Sequence, residues 1–136
     1  MNLRDVIFAL IFAVVVAVLF NGISKAYSTP TKANETEVVQ LTKMQCYNLG
    51  TQVTRVVTHF QSNKPYTYVI DAMKTIEMDV PVRKAVNDMI FTLYFEASED
   101  ALSNIRFNSP DLFGDYIFTV CVNYGGKLEV RIRTEV

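Results

Sequence analysis

At 136 residues, with 13 basic and 14 acidic side chains and a formal net charge of −1, the chain has room for one domain with a modest core. It has no charge excess that would draw it to nucleic acid or anionic lipid over long range. Two cysteines permit one bridge with a single connectivity.

The first element is a leader. Met1 to Arg4 is short and weakly basic, and Val6 to Phe20 carries no polar side chain. A helix over that run covers about 22 Å, short of a hydrocarbon core of about 30 Å. Asn21-Gly22 breaks it, and Ser24-Lys25-Ala26 places small residues three and one before Tyr27. This is the layout of a signal peptide over residues 1–26. The alternative is an uncleaved membrane anchor through residues 6–23. Either reading exports the body, to the periplasm or beyond, or leaves it outside an inner membrane that anchors it. Cleavage removes Arg4, Lys25 and Asp5, which leaves 11 basic and 13 acidic side chains. An oxidising destination makes a Cys46–Cys121 disulfide the expected state of the two thiols.

Residues 27–34 read as a polar linker. Asn34-Glu35-Thr36 matches a glycosylation sequon, a pattern that is common by chance. Glu35 to Phe60 reads as one long amphipathic helix, with Cys46, Leu49, Val53, Val56, Val57 and Phe60 on one stripe and Glu35 and Glu37 in its first turn. Pro65 opens a second helix through Tyr66, Val69, Ile70 and Met73. Asp79-Val80-Pro81 starts a third, lined by Val82, Ala85, Val86, Met89, Ile90, Leu93 and Tyr94. Ser98 caps a short fourth helix holding Ala101, Leu102 and Ile105.

The stretch Ser109 to Tyr124 admits two readings. Ser109-Pro110-Asp111 is a helix start, Leu112, Phe113, Tyr116, Ile117, Val120, Cys121 and Tyr124 then match helical spacing, and Gly125 is a stop. Yet Tyr116 to Val122 is rich in strand formers, and Leu128 to Arg133 alternates with period two. Gly125-Gly126-Lys127 could turn a hairpin between them. The capping signals are the more specific. The expected fold is therefore all-α, a bundle of four to five helices over residues 35–126 closed by one disulfide, with a strand-like tail at 127–136. An α+β fold with a hairpin at 115–134 is the alternative.

Taken together, Cys46, Leu49-Gly50, Val53, Val57, the Lys64-Pro65 break, Ile90, Leu93-Tyr94, Phe113 and Cys121 resemble the pattern of small exported, disulfide-bonded helical proteins of proteobacteria and their phages. Members of that group mostly have no assigned activity. The resemblance implies a helical exported domain and says little of function. The connector between Tyr94 and Cys121 is longer here, and the tail is extra.

Chemistry is sparse. His59 is the single histidine, too few for a metal site with the thiols bridged. With no serine in a nucleophile motif near it, it reads as a partly exposed side chain near the end of the first helix. Asp111 and Asp115 stand four apart, and Asp71, Glu77 and Asp79 form a diffuse acidic region; both read as solvated surface. Gly125-Gly126 is too short for a phosphate loop. Tyr66 and Tyr68 read as core and rim. No catalytic, metal or cofactor site is expected. The expected function is a non-enzymatic, exported protein-binding module of the cell envelope or periplasm, its partner unidentified. The alternative is a membrane-tethered regulator or inhibitor, as phage lysis inhibitors are. Leu128, Val130 and Ile132 on the tail are the candidate partner contact, since an amphipathic strand can add to a sheet edge.

Overall fold

A computed structural model describes residues 33–133 of the chain. Strand β1 (Ala33–Gln40) is followed by helices α1 (Lys43–Gln61), α2 (Tyr66–Lys74), α3 (Val80–Phe91), α4 (Glu99–Phe107) and α5 (Pro110–Asn123), then by strand β2 (Lys127–Arg133). The protein is mostly helical, with one small antiparallel sheet and one disulfide. The leader and most of the linker, and with them both readings of residues 1–26, lie outside the described residues.

The first helix starts later than its apolar stripe suggests. Thr42 caps it: its hydroxyl accepts from the Gln45 N–H at 3.1 Å, and the Gln45 side-chain oxygen accepts from the Thr42 N–H at 2.9 Å. That reciprocal pair satisfies two donors that would otherwise end unpaired. The segment before it, expected as helix from Glu35, is a strand instead. Its β-branched Thr36, Val38 and Val39 suit a pleated edge, and its acids stand outside the helix.

The C-terminal segment has a partner too. β1 and β2 pair antiparallel, with Val39 opposite Leu128 and Glu37 opposite Val130. The strand-like tail is thus one half of a sheet whose other half the apolar stripe assigns to helix. The alternative hairpin at 115–134 does not form, because Pro110–Asn123 is helical. Gly125 and Gly126 have φ of +64° and +75°. The Gly126 N–H donates to Cys121 O and the Gly125 N–H to Val122 O, a Schellman stop that turns the chain from α5 into β2.

Helices α1 and α5 form the most intimate pair. They run antiparallel, since Cys46 meets Cys121, Gly50 meets Gly114, and the Thr54 hydroxyl approaches Pro110 O. The expected Cys46–Cys121 disulfide is present, with a Cα separation of 5.6 Å and both residues buried. A Cβ on Gly50 would sit 2.6 Å from Gly114 O, so these two glycines set the approach of the helices. Leu49, Val53, Val56, Phe113 and Ile117 fill the space beneath, joined by Val82, Val86 and Ile90 of α3. Each such side chain contributes about 1.5–3 kcal/mol by leaving water.

After Phe91 the third helix does not stop. Thr92 to Glu96 continues as a π-helical turn, closed by the Ala97 N–H on Thr92 O at 2.9 Å. Within it Leu93 continues the buried stripe into the core, while Phe95 stands 58% exposed. Ser98 then caps α4 as expected, accepting from the Ala101 N–H at 3.2 Å.

Candidate functional site

Of the three residues that the sequence offered as a partner contact, two are buried and cannot meet one, while the third, Ile132, lines the groove described below. Leu128 and Val130 are buried in the core, on the sheet face shared with Val39, and Ile132 is half-buried. Nor is the outer edge of β2 open at its centre. The Arg131 N–H donates to the Asp88 carboxylate at 3.0 Å, so α3 covers the position where an added strand would bind.

Arg131 itself is the residue that sequence reasoning missed. It lies in the alternating segment as an apparent solvent-facing cation, yet it is 4% exposed. Its Nε reaches Asp88 at 3.2 Å. Its two terminal nitrogens clasp Glu96 at 2.6 and 2.9 Å, and one also donates to the Thr92 hydroxyl at 2.7 Å. Asp88, Thr92 and Glu96 succeed one another at four-residue steps, and the Thr92 hydroxyl donates to Asp88 O at 2.9 Å. A buried charge is tolerated only when paired and hydrogen-bonded, and the planar fork of arginine meets both carboxylates at once. The network ties the last strand to the third helix. Its one legible signal is Asp88, an acid set inside the apolar stripe between Val86 and Met89.

Beside this network lies a groove of about 400 Å3 between α2, α3 and β2. Tyr66, Ile70 and Phe91 supply an apolar wall, and Lys74, Arg83 and Lys84 a basic one. Arg83 donates to the carbonyls of Met73 and Ile76, which closes the end of α2, and it has no carboxylate partner among the described residues. Lys84 pairs with Glu37 of β1 at 2.5 Å. Lys74 is 3.8 Å from Asp71, with both side chains largely in water. The Phe95 ring lies 4.8 Å from Phe91 and 4.9 Å from Tyr66, centroid to centroid, so the exposed ring is braced from two sides.

The other candidates disperse. His59 packs edge-on against Tyr68 at 5.6 Å, and the Lys64 ammonium lies 4.8 Å from the centre of that ring. Tyr68 is exposed, the rim position expected of it, whereas Tyr66 is half-buried and falls short of the core position expected. Asp79 accepts from the Gln45 amide at 2.9 Å and Asp71 faces Lys74, so the acidic region is split among local partners. Asp111 and Asp115 lie on the exposed side of α5. Among the described residues no three histidine, cysteine or acidic side chains gather to hold a metal, and no helix is long and apolar enough to cross a membrane. Burial raises the Tyr94 phenol above its usual 10.0, against the opposing pull of Arg106, and burial with the nearby Tyr124 raises that of Tyr116.

No protein-family model, no curated protein and no solved structure matches this chain.

Proposed function

We propose that this chain is an exported, non-enzymatic protein-binding module of the cell envelope or periplasm. It docks a partner at the groove between α2, α3 and β2. The observation that carries the reading is Phe95: a large ring held in water, packed on Tyr66 and Phe91, two rings that line a concave surface with a basic wall. Rigid aromatic rings beside a pocket are the common anchors of protein interfaces. Lys74, Arg83 and Lys84 suit a partner that presents an apolar side chain flanked by acids. The buried disulfide accords with an oxidising compartment.

A photo-crosslinking residue placed at position 95 in expressing cells is expected to trap one envelope protein. The same residue at Ser103, exposed on α4, is expected to trap none. Phe95→Ala should weaken the isolated complex at least about tenfold, the loss of a single anchor worth over 1.4 kcal/mol. Equal trapping from both positions, or a chain recovered reduced from the cytoplasm, overturns the reading.

A second version keeps the apolar run Val6 to Phe20 in the bilayer, and the module then acts as a tethered regulator or inhibitor. Mass spectrometry of the N-terminus separates the two: a start at Tyr27 means release, and an intact Met1 means tethering.

A further inference from the structure

A second concave face lies on the outer side of the α1–α5 pair, a groove of about 540 Å3 with Gly50 and Gly114 in its lining. Each helix presents one stripe along it. Met44, Tyr47, Thr51 and Arg55 recur at three- and four-residue steps on α1, and Asp111, Asp115, Phe118 and Val122 do so on α5. Because the helices are antiparallel, the two stripes have matching ends. Toward the disulfide the face is apolar: Met44 and Tyr47 are 74% and 62% exposed, and the Tyr47 ring meets Phe118 edge-on at 6.0 Å. At the far end stand Arg55 and Asp111, with Asp115 between the two ends. All three are exposed, and none is in an ion pair among the described residues.

We infer that this face closes on a second copy of the chain, about a twofold axis running along the groove. That operation sets α1 of one copy against α5 of the other with the antiparallel sense kept. Arg55 of each copy then faces Asp111 and Asp115 of its mate, and Tyr47 faces Phe118, twice over. The product is a four-helix bundle in which each contact between copies repeats the order of helices within one copy. Charges of opposite sign that line one groove and do not pair among the described residues are self-complementary under this operation. A twofold axis across the groove would instead bring Arg55 onto the aromatic end and leave the acids unmatched. The inference uses a different surface from the partner groove and stands or falls apart from it.

Sedimentation equilibrium of the oxidised protein, as recovered from its cells, tests it. The wild type is expected at dimer mass. Arg55→Asp alone and the double variant Asp111→Arg/Asp115→Arg alone are each expected at monomer mass, with unchanged helical circular dichroism and an intact disulfide. An equimolar mixture of the two is expected to restore the dimer, as a heterodimer identified by a tag on one variant. Thr51→Arg, at the centre of the face, is expected to block assembly in every combination. A wild type that stays monomeric across the micromolar range overturns the inference. So does a dimer that neither charge reversal affects, or a pair of monomeric variants that fail to restore one another. A partner of different sequence on this face would appear as the first of these outcomes.

Discussion

Asp88 holds both the main chain and the side chain of Arg131. One carboxylate oxygen takes the Arg131 N–H at 3.0 Å and the other takes its Nε at 3.2 Å. The contact joins residues 43 positions apart and lies within the core. It fixes the last strand against the third helix at a site where water cannot substitute for a lost partner.

Arg131→Met should therefore destabilise the protein by about 3–5 kcal/mol, because Asp88 and Glu96 remain buried without their counter-charge. Urea unfolding of the oxidised protein at neutral pH measures it. Replacing Arg131, Asp88 and Glu96 together by apolar residues should cost much less than Arg131→Met alone. Equal costs would mean that the network is not coupled.

The two glycines after α5 should respond differently to alanine. At Gly125 a Cβ meets nothing within 4 Å, so Gly125→Ala is expected to cost only the left-handed conformation, about 1–2 kcal/mol. At Gly126 the same conformation is required and a Cβ would stand 1.8 Å from Leu41 O, where β1 and β2 converge. Gly126→Ala should cost clearly more and reduce protection of the Leu41 amide, which donates to Gly126 O at 2.7 Å. Hydrogen exchange reads the difference.

Removing the bridge by Cys46→Ala/Cys121→Ala opens a loop with a sequence separation of 75. In the chain-entropy account that costs about 4 kcal/mol, a large share of the 5–15 kcal/mol typical of a domain. Denaturant midpoints of the variant and the wild type give the value. A shift of less than about 1 kcal/mol would mean that the unfolded chain is already compact.

The phenols of Tyr94 and Tyr116 are both raised above 10.0 by burial. The folded state thus holds these protons more tightly than the unfolded one. The resulting stability is fully present below pH 10 and is lost as pH rises through the folded values. Tyr94→Phe should flatten the alkaline limb of a stability–pH curve and leave its slope below pH 9 unchanged. It also removes the hydrogen bond from the Tyr94 hydroxyl to Lys64 O, which lowers the whole curve.

Much of the helical layer was legible because apolar spacing and caps agree there. Val82, Ala85, Val86 and Ile90 are buried in the order their periodicity gives, and Ser98 and Ser109 begin the helices they were expected to begin. The sheet was not legible, for a physical reason. β1 runs into α1 with Leu41 and Thr42 alone between them, and its Val39 extends the apolar pattern of the helix. The Thr42–Gln45 capping box marked the true boundary. With β1 taken into the helix, β2 has no partner, and Leu128 and Val130 look free to bind elsewhere. The groove was hidden for another reason. Its lining comes from α2, α3 and β2 together, and its β2 edge depends on a strand pairing that a helical reading of residues 35–40 removes.

β1 is made before every other described element, and β2 after all of them. During synthesis the first strand waits, with its pairing edge bare, until the chain has grown to residues 127–133. A bare edge is a template for the wrong strand. The sheet is thus a completion mark: the two ends of the described chain meet only when nothing between them is missing. A chain cut before residue 131 keeps a helical layer without its Arg131 clasp, which makes it a target for proteases.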